Sequence, residues 1–234
     1  LHEYMTLFGF GRRVALDMFE ESAGLMPSRQ WKRDRYRQVW YPGETLILGI
    51  GQGYMQSTPL QLAQATALVA SRGKWAKPHL ARTVGGEPVV DEDPYPDIQL
   101  ANPLHWEHAR QAMEAVMHGE RGTARATGKD SPYRIAGKSG TAQVVAIKQG
   151  ERYDRNKVQE RHRDHALFVA YAPADKPEIA VSVMVENGES GSSVAAPVAR
   201  AVLDAWLLPE ETDAAQEAET NADAPALAGQ EAGQ

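Results

Sequence analysis

Residues 2–20 place apolar side chains at Met5, Phe8, Val14, Leu16 and Phe19 and interrupt them with Gly9 and Gly11. That pattern predicts a short helix ending near Phe8, followed by a turn. Residues 23–56 carry many turn formers and no sustained period, which predicts an irregular surface excursion with Trp31, Trp40 and Tyr41 as packing anchors. Ser57-Thr58-Pro59 combines a capping hydroxyl with Pro in the first turn, so a helix should start there. It runs through Leu60, Leu62, Ala63, Ala67 and Val69 to a stop at Gly73. A strand-like stretch over 76–84 precedes an acidic, Pro-rich loop over 85–97, and Asn102-Pro103 opens a second helix over 104–118. Residues 132–147 read as a strand, 148–165 as a strongly charged loop, and 166–172 with 179–186 as a β-hairpin turning at Pro173, Asp175 and Pro177. An amphipathic helix over 194–208 closes the pattern. Helices, then three strands close in sequence, then a helix predict an α+β domain, an antiparallel sheet flanked by helices, over a parallel βαβ design.

Composition refines this picture in one place. The 234 residues are 42% hydrophobic and carry a net charge of −6, enough chain to bury a core as one domain. The charge is concentrated at one end. Residues 210–234 hold Glu210, Glu211, Asp213, Glu217, Glu219, Asp223 and Glu231 and no Lys or Arg; removing those seven from the 31 acids leaves 24 against 25 bases. The sequence therefore divides into a near-neutral domain over 1–209 and a disordered acidic tail over 210–234. Nothing in this balance calls for a nucleic-acid partner. There are no cysteines, so disulfides and thiolate chemistry are excluded. No apolar run approaches the roughly 18 residues of a membrane span, and no signal peptide is recognisable. Opening at Leu1 directly in helix-like sequence leads us to expect an upstream portion.

The sharpest chemical signal is Gly137-Lys138-Ser139-Gly140-Thr141-Ala142-Gln143. Lys, a hydroxyl residue, Gly and a second hydroxyl form the K-[ST]-G signature of serine acyl-transferases. Alternation along a strand puts Lys138 and Gly140 on one face, Ser139 and Thr141 on the other. The missing side chain at Gly140 lets a peptide substrate approach the backbone. Other patterns fall away. Gly49-Ile50-Gly51-Gln52-Gly53 has Tyr54 where a dinucleotide loop needs its third Gly, and reads as a tight loop against the site's sheet. His162-Arg163-Asp164 lacks the Asn of a kinase catalytic loop, Val169 standing in its place. His162 and His165 have no third ligand cluster for a metal; we expect a solvated loop at His162 and a hydrogen-bonded His165 at the strand entry.

The longer blocks are more specific than the signature. Phe8-Gly9-Phe10-Gly11, Trp40-Tyr41-Pro42-Gly43-Glu44-Thr45, Gly49-Ile50-Gly51-Gln52-Gly53-Tyr54, Thr58-Pro59-Leu60-Gln61, Gly122-Thr123-Ala124 and Asp164-His165 occur in this order together with Lys138-Ser139-Gly140-Thr141. The chain from Leu1 to about Leu208 resembles the C-terminal part of the transpeptidase domain of elongation-type class B penicillin-binding proteins, with their penicillin-binding protein/serine β-lactamase-like fold. The resemblance implies a serine acyl-enzyme mechanism that cross-links peptidoglycan stem peptides ending in D-Ala-D-Ala and that β-lactams intercept. It implies Lys138 as a charge near the nucleophile and substrate carboxylate, and Ser139 and Thr141 hydroxyls holding that carboxylate, Gly140 between them. It also implies the Thr141 N–H as an oxyanion-hole donor, typically worth about 3–4 kcal/mol in the transition state. No cofactor and no metal are implied. A glycosyltransferase, elongation-complex proteins, an upstream membrane anchor and the periplasmic face of the bacterial inner membrane follow for the parent protein.

Two departures from that pattern bear on activity. Ser71-Arg72-Gly73-Lys74 is the sole S-x-x-K, it falls at a predicted helix C-terminus, and no S-x-[ND] occurs. In the family the nucleophile opens a helix well upstream of K-[ST]-G, so this chain reads as half of an active site. The competing reading is a noncatalytic binding or scaffold remnant of the same fold. Residues 210–234 have too little apolar area to offset ordering at about 1–2 kcal/mol per residue. Deleting them is expected to leave the melting temperature unchanged; a drop of several degrees in a thermal melt would show that the tail docks on the domain.

Overall fold

A computed structural model describes residues 1–92, 94–145 and 158–208. The elements in order are α1 (His2–Leu7), α2 (Arg29–Tyr36), α3 (Pro42–Gly49), α4 (Pro59–Ala70), β1 (Thr83–Val84), β2 (Glu87–Pro88), α5 (Leu104–His118) and α6 (Arg125–Gly128), then β3 (Ala136–Ala142), a 3-10 turn (Glu160–His162), β4 (His165–Ala172), β5 (Ile179–Val185), a π turn (Gly191–Ala195) and α7 (Ala196–Leu207). The α+β expectation holds. Strands β3, β4 and β5 form an antiparallel sheet in that order, and β1 and β2 form a separate short ladder.

The long helices begin where their caps dictate. Thr58 accepts from the Gln61 N–H, Gln61 reaches back to the Thr58 N–H, and Pro59 sits in the first turn of α4. Asn102 accepts from the Leu104 N–H at 3.0 Å and opens α5. The irregular excursion expected over 23–56 is corrected: it contains α2 and α3. Ser28 caps α2, and Pro42 with Glu44, which accepts from the Tyr41 N–H at 2.7 Å, starts α3. Each helix is eight residues long, too short to show a period above its charged or Gly-flanked surroundings. Lys32, fully buried, is ion-paired with Glu44 and ties the two helices together. Trp31 and Trp40 do pack, Trp31 against Tyr36 and Tyr54 and Trp40 against the Phe10–Met26–Leu48 cluster, whereas Tyr41 is exposed.

The strand expected over 76–84 is likewise shortened to Thr83–Val84. Asp17 takes the N–H groups of Leu80 and Ala81, and the Pro78 carbonyl accepts from Leu16. A side chain thus consumes the donors that a ladder would have used. The strand expected over 132–147 spans Ala136–Ala142, and residues 146 and 147 lie outside the described residues, as do most of the charged loop and the tail. The hairpin strands agree within one residue. The last helix is preceded by the π turn rather than beginning at Val194.

Two cores flank the sheet. On one face Ala166, Phe168 and Ala170 pack with Ala195, Ala196, Ala199 and Leu203 beneath α7. On the other, Ala136 and Tyr171 meet Ala70 of α4 and Met113 of α5. No helix among the described residues is long and apolar enough to cross a membrane.

Gln61, fully buried, donates its amide to the carbonyls of Arg12 and Ala23 at 2.8 Å each and Gly9 at 3.3 Å, while accepting from Thr58. Gln61→Leu strands these backbone groups and is expected to cost about 3 kcal/mol, read as a shifted urea midpoint at constant slope.

His118 holds the entry to β3: its Nε2 accepts from the Ile135 N–H at 2.9 Å. Burial, reinforced by nearby Arg134, holds its pKa below the ordinary imidazole value. The unfolded chain therefore binds this proton more readily, so stability should be full above about pH 6.5 and fall as pH drops through the folded value. His118→Gln, which keeps an acceptor, should flatten that dependence in melts between about pH 5 and 7.

Candidate functional site

Lys138, Ser139, Gly140 and Thr141 lie together on β3, as the sequence reading expected. Their register is fixed by β4: Lys138 opposes Val169, Ser139 opposes Phe168, Gly140 opposes Leu167 and Thr141 opposes Ala166. Directly opposed residues share a sheet face. Ser139 and Thr141 therefore project on the side of Phe168 and Ala166, toward α7 and the π turn. Lys138 and Gly140 project on the side of α4 and α5. The alternation inferred from the sequence is the one observed. A ligand along the edge of the sheet can reach both faces.

β3 is an edge strand, with no described strand on its outer side. Its chemistry is available. The Lys138 ammonium is exposed, donates to the Ser139 carbonyl at 2.6 Å, and forms no ion pair among the described residues. Neither the Ser139 nor the Thr141 hydroxyl has a hydrogen-bond partner among the described residues, and Thr141 is exposed. A cation and two free hydroxyls within four consecutive residues can bind a carboxylate by charge-assisted hydrogen bonds.

Surrounding elements hold this strand closely. Ahead of it, the Tyr133 hydroxyl donates to Asp204 on α7 at 2.5 Å, and Arg134 pairs with Glu114 of α5 at 2.6 Å. Burial and the Asp204 carboxylate push the Tyr133 phenol well above its ordinary range, so it stays a donor. Beyond it, the half-exposed segment at Val144 donates to the buried Asp164 carboxylate at 3.4 Å, and the Asp164 carbonyl accepts from Glu189. His165, expected to be hydrogen-bonded at the strand entry, accepts from the Asn187 N–H at 3.0 Å. Gly191 presses onto the middle of the site. A Cβ there would sit 2.7 Å from the Gly140 carbonyl oxygen and closer still to that of Leu167, so only Gly lets the π turn seat on the ladder.

Gln52 and Gly191 are the site residues that the sequence reading did not single out. Gln52 donates from its side chain to the Thr141 carbonyl at 3.1 Å across 89 residues of chain. It also lines a cavity of about 250 Å³ with Trp40, Ile47 and Tyr54. Gly49 ends α3, and residues 50–54 form the expected tight loop, with Gln52 reaching the sheet. Its one legible signal was a polar side chain between two glycines.

Ser71 is remote. It caps the C-terminus of α4, its hydroxyl donates to the Lys74 carbonyl at 3.0 Å, and Arg72 behind it is left-handed. It lines a cavity of about 400 Å³ with Ile179 and Ala180. Ala180 pairs with Tyr171, which pairs with Ala136, about five residues or roughly 17 Å along the strand from Thr141. Ser71 and Lys138-Ser139-Gly140-Thr141 do not form one site. Among the described residues no cluster of three or more His, Asp or Glu side chains could hold a metal.

Comparison with known proteins identifies the family. The penicillin binding protein transpeptidase domain matches residues 1–204. The chain is 44% identical over 210 residues to the peptidoglycan D,D-transpeptidase MrdA of Haemophilus influenzae, covering 88% of this chain and 32% of that protein. It spans about a third of the length of the curated relatives it matches. Among solved structures, PBP2 of Pseudomonas aeruginosa in complex with WCK 5153 superposes with a TM-score of 0.81 at 62% identity, over 90% of this chain and 44% of that one. The PBP2–MreC complex of Helicobacter pylori gives a TM-score of 0.71 at 32% identity, over 85% and 34%. An α+β sheet with Lys-Ser-Gly-Thr on its free edge and a domain match over nearly the whole described chain lead to one assignment: the chain belongs to the penicillin-binding protein transpeptidase domain family.

Proposed function

We propose that this chain supplies the K-[ST]-G half of the active site of a peptidoglycan D,D-transpeptidase acting in cell-wall elongation. The observation that carries the proposal is the edge of β3, which among the described residues offers an ammonium at Lys138 with no ion-pair partner and hydroxyls at Ser139 and Thr141 with no hydrogen-bond partner. In this reading the terminal carboxylate of a D-Ala-D-Ala stem peptide, or that of a β-lactam, is held by the Ser139 and Thr141 hydroxyls and the Lys138 charge. Gly140 removes a side chain from the strand where the donor peptide lies. The Thr141 N–H donates to the oxyanion that forms as the acyl carbonyl is attacked, and a fixed donor of this kind acts chiefly in the transition state.

The nucleophilic Ser and its S-x-x-K partner come from elsewhere in the full-length protein, since Ser71 stands at the wrong end of the sheet. The acyl group is then passed from that Ser to an amine of a neighbouring stem. The parent protein works at the periplasmic face of the bacterial inner membrane, beside a glycosyltransferase and elongation-complex proteins. The MreC complex of the H. pylori relative supports a partner of that kind.

In the full-length protein, Lys138→Ala should slow acylation by a fluorescent penicillin by about 100-fold or more with an unchanged melting temperature. Acylation at the parental rate would remove Lys138 from the mechanism. The isolated chain should take up no penicillin, because without the nucleophile there is no acyl-enzyme step. Intact-mass analysis after incubation checks this, and a stoichiometric adduct on Ser71 would overturn it.

A further inference from the structure

In an antiparallel ladder the N–H and C=O of one residue point to the same side. The Thr141 carbonyl accepts from the Gln52 side chain, so Thr141 turns its peptide groups away from β4 and toward the open edge. Its N–H faces that edge too. Thr141 is the next-to-last residue of β3, and the end of an edge strand opens more readily than its middle. Gln52 is set for holding it. Gly51 at φ +74° and Gly53 at φ +81° are both left-handed, and the Gln52 N–H is anchored to the Ile47 carbonyl at 3.1 Å. Two left-handed residues in such a turn are cheap only for Gly.

We propose that Gln52 is a positioning residue of this site. It clamps the end of β3 through the Thr141 carbonyl and thereby orients the Thr141 N–H toward the reacting acyl carbonyl. The clamp acts through the backbone and needs no contact with substrate. The proposal rests on the acyl-transfer reading above.

The test uses the full-length protein with Gln52→Leu, which removes the donor, and Gln52→Glu, which keeps the shape and substitutes an acceptor. With a fluorescent penicillin, the acylation rate at saturation should fall about tenfold or more in both, as a misplaced catalytic group does. The half-saturating concentration should move by less than about threefold and the melting temperature by about a degree or less, since the ground-state contacts remain. Hydrogen exchange should quicken in the peptide over 136–145 and stay unchanged over 165–172. Acylation within twofold of the parent in both variants, or unaltered exchange over 136–145, would overturn the clamp. A rate loss joined to a melting drop of several degrees and faster exchange across the whole sheet would overturn it too, by making Gln52 a general structural residue. Failure of the acyl-transfer reading looks different: Lys138→Ala then leaves acylation at the parental rate, while the exchange response to Gln52→Leu stands on its own.

Discussion

Strand β4 is hydrogen-bonded on both sides, to β3 and to β5, and buries Ala166, Phe168 and Ala170 beneath α7 while Tyr171 enters the core under α4 and α5. A side-chain period of two means that a one-residue slip of β3 on β4 would exchange the faces of Lys138 and Ser139. Such a slip would also turn Ala136 out of its cluster and put a different residue under Gly191. Burial on both faces of β4 thus sets the register, and the register decides what each residue of the Lys-Ser-Gly-Thr run presents.

The other half of the domain has few strands and depends on polar ties. Gln61, Glu21 and Asp17 each gather backbone groups from segments that are neither helix nor strand. Buried peptide groups in such segments must find partners, and a side chain with several acceptors or donors satisfies them at one point. Lys32 and Glu44 tie α2 to α3 through a side-chain ion pair instead, and the ammonium keeps the Glu44 carboxyl below the ordinary carboxylate range. Through this scaffold the loop carrying Gln52 reaches β3, so a helical layer far away in sequence touches the strand that carries the Lys-Ser-Gly-Thr run.

Legibility followed the strength of local signals. Helices α4 and α5 were readable because Thr58-Pro59 and Asn102-Pro103 carry their own caps. The hairpin was readable from two apolar runs around Pro173 and Pro177. Helices α2 and α3 were missed although Ser28 and Pro42 marked their starts, because eight residues make barely two turns. The stretch over 76–84 looked like a strand by composition. Its donors went to Asp17, some sixty residues earlier in the chain, and no local window contains that competitor.

For the site the division runs the same way. The identity of the Lys-Ser-Gly-Thr run, its strand and its alternation of faces were determined by the sequence alone, since they need only neighbouring residues and the geometry of an extended chain. The insufficiency of Ser71 was half visible in its place at a helix end; its distance from Thr141 needed the pairing of β5 with β4 and β4 with β3. That β3 is an edge strand, that Gly191 seats against Gly140 and that Gln52 holds the Thr141 carbonyl were decided by the tertiary structure. Each joins segments separated by tens of residues, and such contacts arise from what the whole fold buries, which no local stretch of sequence encodes.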